Sequence, residues 1–380
     1  MKYWRGYLVA LIVAACAFAL RAFAATHSVL VDMIYPYVSR MAISFLSGFT
    51  VGKLVWWQLF LLVLAIAIVV YLIICIVRRR NPVRFIGWTM AFISVLFLLH
   101  TGIYGLNQYA GTLSDDIRME KADYSVPDMQ NALVYFQNHA NDLAAKLPRD
   151  KNGDPIADFD TLANNVTAGF HRLSDEEYYS VFACSDAPVK KLGWGFVYSL
   201  LGKTGQLFPI TGEAAVNAAT PAAGLPFAMC RVLANRVCIE SSADSAFAAY
   251  LACIASNDPL TQYSGYFMAY RYCYEALKEM PGGAISFRDR ENSQLKHDFD
   301  TYNKSFAARA DDPTNIVKTD AGTIVTNAAD ILVSWHLQVI VKPLNAKEET
   351  TFDPMDETQV DLSGLPNAKV EEKPEETVAK

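Results

Sequence analysis

The sequence lacks the motifs by which most enzymes are recognised. Its six histidines never lie three or four residues apart, so no two of them can bind one metal ion from the same face of a helix. No pair of its seven cysteines has C-x-x-C spacing, which argues against a zinc ribbon or a thioredoxin-type motif. It also has no nucleophile elbow, phosphate-binding loop or dinucleotide fingerprint. These absences remove the commonest enzyme classes.

The chain is also short of positive charge. Its 33 Lys and Arg residues are outnumbered by 39 Asp and Glu residues, which gives a net charge of −6. Outside the flanks of the apolar runs there is no basic stripe of the kind that binds a phosphate backbone. We therefore expect no nucleic acid among the partners of this protein.

Apolar residues, in contrast, are abundant at 52%, and the excess falls in three runs before Gly111. These runs predict membrane spans at about residues 7–25, 54–77 and 85–104. The second run is followed by Arg78-Arg79-Arg80 and then Arg84, so the loop after it is expected to be cytoplasmic. The third run then returns outward. The sequence thus predicts a multi-pass cell-membrane protein with a large extracytoplasmic C-terminal domain.

Two segments of this region have competing interpretations. The first run is either an uncleaved span, with Arg21 at the outer interface, or a signal peptide that ends near Ala22-Phe23-Ala24. The segment 27–53 mixes apolar residues with Asp32, Arg40 and Lys53. We predict that it is an amphipathic segment at the outer interface rather than a fourth, re-entrant span.

The rest of the chain divides into a domain at residues 111–342 and a tail at residues 343–380. The tail is acidic, rich in Pro and Glu, and predicted to be disordered. Within the domain, a short strand is expected near Gln206–Ile210. Apolar periodicity predicts helices at Met129–Leu147, Phe159–Leu173, Leu225–Val237, Ser242–Ala255 and Gln262–Met280. The predicted fold class is mainly α (α+β), with three N-terminal transmembrane helices and a mostly helical outer domain.

Three segments of the domain carry a family resemblance. They are Thr211-Gly212-Glu213-Ala214-Ala215-Val216-Asn217, the stretch from Asp244 to Ala252, and Tyr263-Ser264-Gly265-Tyr266. In order and spacing they resemble the DUF3810 family of bacterial membrane proteins, which are similar to zinc metallopeptidases. The resemblance implies N-terminal spans, a zincin-like outer domain, and a zinc ion bound by an H-E-x-x-H helix.

The sequence departs from that family at the metal-binding helix, where it reads Arg231-Val232-Leu233-Ala234-Asn235. Arg231 cannot coordinate zinc, Val232 cannot act as the general base, and Asn235 is a poor neutral ligand. The resemblance implies a third ligand at Asp244, but one carboxylate does not make a zinc site. We therefore expect no catalytic residues, no metal ligands and no bound zinc. Arg231 either replaces the lost cation by pairing with Asp244 or Glu213, or faces solvent.

These expectations lead to three functional hypotheses. The first is a membrane-anchored pseudopeptidase, which binds a peptide, a cell-wall component or a protein and has the lipid bilayer as its other partner. The second is an active metallopeptidase with a non-standard metal site. The third is a structural subunit of a membrane complex with a vestigial cleft. The residues expected to line the cleft are Glu213, Asn217, Arg231, Asn235, Asp244 and Tyr263.

Overall fold

The computed structural model of the chain describes residues 4–78, 82–175, 180–200, 203–280, 287–310 and 321–343. Residues 344–380, nearly all of the predicted tail, lie outside the described residues, as do Arg79 and Arg80 of the positive cluster. The described part is mainly helical, as predicted. Its α-helices are α1 (Arg5–Thr26), α2 (Ser28–Ser47), α3 (Trp56–Val77), α4 (Val83–His100), α5 (Leu113–Asp116), α6 (Val126–Lys146), α7 (Phe159–Asp175), α8 (Gly195–Leu200), α9 (Leu225–Arg236), α10 (Ser242–Ile254), α11 (Pro259–Lys278), α12 (Ser293–Ala310) and α13 (Ala321–Trp335).

Four helices of the described residues are long and apolar enough to cross a membrane, whereas the sequence predicted three. They are α1, α2, α3, and α4 with its continuation to Gly105. The additional helix is α2, which occupies most of the segment predicted to lie at the interface. The sequence prediction differed because Asp32 and Arg40 interrupt the apolar pattern of this helix. Length and composition indicate membrane association for the group, and the interfacial placement of residues 27–53 stays a prediction.

Helices α1 and α4 form the closest pair in this region. A Cβ atom at Gly6 would lie 2.6 Å from the carbonyl carbon of Gly87, so the two backbones touch. Small residues allow such close crossings, and van der Waals contact then holds the helices together.

The core of the domain is built around α10. Every residue from Ala243 to Ile254 is buried, so this helix is enclosed on all sides. Helices α9, α11 and α13 pack against it, and α6 packs against α11. Local signals define the ends of these helices: Ser125 and Asp128 form a capping box for α6, and Asp258 caps α11 ahead of Pro259. The helices predicted in this region are confirmed.

A small sheet joins the helical domain to the apolar helices. Its strands are β1 (Lys190–Lys191), β2 (Gly205–Phe208) and β3 (Glu213–Val216), in the order β1-β3-β2. β3 is parallel to β1 and antiparallel to β2. β2 confirms the strand expected near Gln206–Ile210. All four residues of β3 are buried, so the central strand is covered on both faces.

Helix α2 contacts the domain along its whole length of about 30 Å. Near its start, Asp32 accepts a hydrogen bond from the backbone N–H of Gly111 at 2.6 Å. In its middle, Arg40 donates to the carbonyl oxygens of Val237 (3.2 Å) and Ser180 (2.9 Å). At its end, the Ser47 hydroxyl is 2.8 Å from the hydroxyl of Ser185. The charges of α2 are therefore matched to polar groups of the domain.

Candidate functional site

Glu213, the acid of the family-like segment, caps the start of the apolar helix α3. Its carboxylate accepts hydrogen bonds from the backbone N–H groups of Trp56 (2.8 Å) and Trp57 (2.9 Å), the first two residues of α3. The Lys190 ammonium lies 2.8 Å from the same carboxylate, and both side chains are buried. A negative charge is stabilised at a helix N-terminus, where backbone N–H groups lack partners. Glu213 thus contributes to the packing of the domain on α3.

Lys190 completes this arrangement. Besides Glu213, its ammonium donates to the carbonyl oxygens of Thr50 (2.8 Å) and Leu54 (3.0 Å), which precede α3. All three ammonium protons are therefore satisfied. Lys190 of β1 and Glu213 of β3 form a buried ion pair, which we call the Lys190–Glu213 pair. Through Lys190, this pair binds the link between α2 and α3 to the sheet.

Gly212 brings the same segment against α2. Its φ angle is +67°, and a Cβ atom at this position would lie 2.4 Å from the carbonyl oxygen of Ile43 and 2.6 Å from the backbone nitrogen of Ser47. Only glycine combines this backbone conformation with this close approach. Gly212 and Glu213 together therefore hold the domain against two apolar helices.

The other residues predicted to line a cleft are held in separate places. Asn217 donates to the carbonyl oxygen of Gly195 (3.1 Å) and the hydroxyl of Ser199 (2.7 Å). The buried Tyr263 hydroxyl donates to the carboxylate of Asp298. Within the described part of the chain, no hydrogen bond or ion pair links any two of the six predicted cleft residues.

Helix α9, which carries the residues expected at the family's metal-binding positions, is packed into the domain. Val232 is buried, while Arg231 and Asn235 are half-buried. The Arg231 Nε and the Asn235 Oδ1 are buried without a hydrogen-bond partner.

The predicted pairing of Arg231 with Glu213 or Asp244 is wrong for the described residues. Glu213 is paired with Lys190, while Ser241 and the backbone of Leu113 stabilise the charged form of Asp244. The alternative in which Arg231 faces solvent is also inexact, since its Nε is buried.

One cluster in the described residues has the donor atoms of a metal site. Asp154, His297 and Asp298 each offer a ligand atom, and these atoms lie within 4.8 Å of one another. The Asp298 carboxylate, however, already accepts two hydrogen bonds from Arg149, each at 2.8 Å, besides the one from Tyr263. A guanidinium occupies the place of a cation there, so the cluster is an ion-pair network that joins α12 to the turn before α7.

A cavity of about 310 Å³ lies between α2, α5 and the connection from α9 to α10. We call it the acidic cavity, because its lining holds four carboxyl groups and a single basic side chain, Arg40. The four acids are Asp32 of α2, Asp116 of α5, Glu240 of the connection and Asp244 of α10. Asn107 also lines it. Of the six predicted cleft residues, Asp244 alone belongs to this lining.

Burial changes the ionisation of these acids. It raises the pKa of Asp116, and the nearby charge of Asp32 adds to the effect. It likewise raises the pKa of Asp244, although the hydrogen bond from Ser241 opposes the shift. Burial raises the pKa of Glu240 to about 7, against the opposing effects of Arg21 and the backbone N–H of Gln108. Each group would be more stable as a carboxylate with a cation beside it.

The raised pKa of Glu240 determines how its contribution to the free energy of unfolding changes with pH. Its ordinary pKa is 4.5 and its pKa in the fold is about 7. Between these two values the folded state holds a proton that the unfolded chain has released. The contribution of Glu240 therefore makes the free energy of unfolding fall as the pH rises through this window.

Two acceptor atoms of the acidic cavity are buried and lack a partner. They are the Oδ1 of Asn107, a residue only 5% exposed, and the Oε2 of Glu240. The Asn107 Nδ2, in contrast, donates to Ser39 (3.0 Å) and to the carbonyl oxygen of Tyr104 (2.9 Å). An unpaired buried acceptor is costly, so these atoms point to an occupant that donates hydrogen bonds.

Two charges in the sequence are a signal for this site. Asp32 and Arg40 stand out as charges in an otherwise apolar helix, and such charges often mark a functional site. The same two charges also interrupt the apolar run of this helix, which favours the interfacial prediction. Asn107, Asp116 and Glu240 carry no comparable local signal.

Comparison with known proteins gives one informative match. Residues 31–320 match the family model described as "Protein of unknown function (DUF3810)". No curated protein and no solved structure matches the chain.

Proposed function

The chain belongs to the DUF3810 family, whose description assigns no function, and from that premise we propose that it is a membrane-anchored binding protein without peptidase activity. Its outer domain binds a cationic, hydrogen-bond-donating group in the acidic cavity. The observation that carries the proposal is the lining of this cavity, whose residues include four carboxyl groups and two buried acceptor atoms without a hydrogen-bond partner. The pseudopeptidase hypothesis is thereby kept, but the binding site moves from the family's cleft to the face of α2.

The proposal includes an orientation in the membrane. Helices α1, α3 and α4 span the bilayer, α2 lies at the outer interface, and the domain is extracytoplasmic. Arg78 and Arg84 support a cytoplasmic loop between α3 and α4. The polar contacts of Asp32, Arg40 and Ser47 with the domain support an interfacial α2, because a helix cannot both cross the bilayer and lie along an outer domain.

The size and chemistry of the cavity favour an organic ammonium group. A volume of about 310 Å³ is at the lower end of the range for small-molecule sites. This is ample for a lysine side chain or the amino end of a peptide. An ammonium group has three donors and no acceptor, which matches a lining whose free atoms are acceptors. A peptide or a peptide-bearing cell-wall component that displays amines is thus the expected ligand class.

Trilysine is a direct probe of the acidic cavity. We expect the full chain in lipid nanodiscs to bind trilysine but not trialanine in isothermal titration calorimetry. Glu240→Gln should weaken binding by about tenfold or more, because a charge-assisted hydrogen bond contributes about 1.5–3 kcal/mol. The matched control is Asp123→Asn, which removes one negative charge from an exposed position. Equal weakening in both variants would mean that trilysine responds only to the net charge, and the proposal would fail.

The same titration should depend on pH. Binding requires Glu240 as a carboxylate, and its pKa in the empty protein is about 7. The ionised fraction rises from about a tenth near pH 6 to about nine tenths near pH 8, so the affinity should rise about tenfold over that interval. Lysine ammonium groups stay charged throughout. The increase should disappear in Glu240→Gln, and an increase of the same size in that variant would assign it to another group.

Metal analysis separates this proposal from an active metallopeptidase. Arg231, Val232 and Asn235 offer no set of zinc ligands, and Asp298 is already bound by a guanidinium. We expect the purified full chain to contain no stoichiometric zinc and to show no chelator-sensitive peptide cleavage. Tightly bound zinc at one per chain would contradict the proposal and favour a non-standard metal site.

The assembly hypothesis is supported by a separate observation. Glu213, Asn217 and Tyr263 are buried and hydrogen-bonded within the chain, so the family-like segments serve the packing of the domain. If trilysine fails to bind while the chain copurifies with a membrane complex, this structural function is the better account.

A further inference from the structure

A short segment of the domain exposes large apolar side chains to its surroundings. Beyond residue 105, the described residues have four such side chains: Ile156, Trp194, Phe196 and Val197. Three of the four lie within four consecutive residues, with exposed fractions of 48% for Trp194, 75% for Phe196 and 47% for Val197. A contiguous apolar group of this kind usually marks a binding surface. We call residues 193–197, which comprise the turn before α8 and the first three residues of that helix, the apolar loop.

The apolar loop is attached to the first turn of α3. Gln58, the third residue of that helix, donates through its Nε2 to the carbonyl oxygen of Gly193 at 3.0 Å and accepts from the Gly193 N–H at 2.8 Å. This double hydrogen bond also gives partners to the one polar side chain in the first turn of α3. Just after the loop, Tyr198 packs with Trp57 of α3 against a small buried cluster of Val55, Leu192, Phe208 and Ala215.

These attachments place the apolar loop at the level where α3 begins. Trp56 and Trp57 occupy that level, and tryptophan is enriched where a spanning helix enters the headgroup region. A loop bound to Gln58 is therefore next to the lipid surface.

We propose that the apolar loop inserts into the same leaflet that α3 enters at Trp56. Phe196 and Val197 then contact the upper part of the lipid chains, while Trp194 lies among the headgroups with its indole N–H toward water.

The backbone of the apolar loop is suited to that environment. Both polar groups of Gly193 are bound by Gln58, and the carbonyl oxygen of Gly195 accepts from Asn217. The N–H of Val197 donates to the carbonyl oxygen of Trp194 at 2.8 Å, which begins α8. Paired backbone groups lower the cost of leaving water. Asn217 of the family-like segment thus has a positioning function for the loop.

Lipid is the occupant that this surface fits best. A docking surface for a soluble protein has no reason to be hydrogen-bonded to the first turn of an apolar helix. The exposed Lys191 precedes the loop by two residues and the exposed Lys203 follows it by six, and such flanking ammonium groups favour anionic lipid headgroups. The loop is therefore continuous with the lipid-facing surface of α3.

Photo-crosslinking in the intact protein tests the insertion. The variant Phe196→p-benzoylphenylalanine adds a benzoyl group to a ring that is 75% exposed, where space is available, so it should fold as the parent does. The full chain is reconstituted in nanodiscs of phosphatidylcholine and phosphatidylglycerol, irradiated, and analysed by mass spectrometry for adducts with lipid. The same photoreactive residue at Phe18, which is 63% exposed on α1, is the membrane control. At the exposed Lys146, on α6, it is the solvent control.

We expect lipid adducts at position 196 with a yield close to that at position 18 and far above that at position 146. A yield at position 196 no higher than at position 146 overturns the proposal, provided that position 18 reacts. Adducts at position 196 with protein alone also overturn it and would assign the apolar loop to a protein interface. Equal thermal midpoints for the three variants and the parent confirm that each probe reports on the folded chain.

Discussion

Lys190→Met is expected to lower the free energy of unfolding by about 3–5 kcal/mol, because it leaves the buried Glu213 carboxylate without its counter-ion. Two backbone carbonyl oxygens, of Thr50 and Leu54, lose their donor in the same step. In a domain of about 150–250 residues this loss corresponds to a fall of about 6–20 °C in the thermal midpoint. The midpoint can be followed by intrinsic tryptophan fluorescence of the full chain in detergent micelles.

The neighbouring lysine provides the control. Lys191 is exposed, and its ammonium lies 4.9 Å from the centre of the Phe159 ring, a contact that contributes about 0.5–1 kcal/mol at an exposed site. Lys191→Met should therefore lower the midpoint by only about 1–4 °C. If the two variants lower the thermal midpoint equally, the buried ion pair of Lys190 does not stabilise the fold more than the exposed contact of Lys191 does.

A double variant distinguishes the loss of the ion pair from nonspecific destabilisation of the fold. Glu213→Gln keeps the shape of the side chain and one acceptor for α3, but leaves Lys190 charged and buried. Because each single variant strands the other charge, Lys190→Met combined with Glu213→Gln should cost less than the sum of the two. Additive losses would mean that the two side chains act independently.

The helices of the domain could be predicted from sequence because their signals are local. The stretch from Ser242 to Ala255 follows its own N-cap, Ser241, and has its own apolar pattern, and α10 forms there. Helix α2 has a mixed local signal, since Asp32 and Arg40 interrupt an apolar run. Their partners in the domain, Gly111 and Val237, lie 79 and 197 residues further along the chain. No local pattern reveals that these charges are matched.

The same reason limits the prediction of function from the family-like segment. Glu213 meets Trp56 across 157 residues, so its capping of α3 could not be deduced from its neighbours in sequence. The resemblance suggested a cleft, whereas the structure gives Gly212 and Glu213 contacts with α2 and α3. The acidic cavity draws its four carboxyl groups from three separate parts of the chain. Its presence depends on the packing of α2, and that packing depends on Gly212.

Gly212→Ala is therefore expected to disturb both stability and the acidic cavity. A left-handed backbone costs a non-glycine residue about 1–2 kcal/mol. The added Cβ would also meet backbone atoms of Ile43 and Ser47 at 2.4 and 2.6 Å. Backbone atoms cannot rotate away, so α2 must shift, at a further cost of about 1–3 kcal/mol. The total of about 2–5 kcal/mol should appear as a lower thermal midpoint.

Gly52→Ala separates the two contributions. Its φ angle is +89°, but no atom lies within 4 Å of the added Cβ, so only the conformational cost applies. A loss in Gly212→Ala no larger than in Gly52→Ala would show that the contact with α2 is unimportant.

A local reporter strengthens the test. The Cys238 thiol is buried against Ser39 of α2 at 3.2 Å, whereas Cys273 is buried in α11. If α2 shifts, maleimide should label Cys238 faster in Gly212→Ala while the labelling of Cys273 stays unchanged. Equal acceleration at both thiols would instead indicate global unfolding.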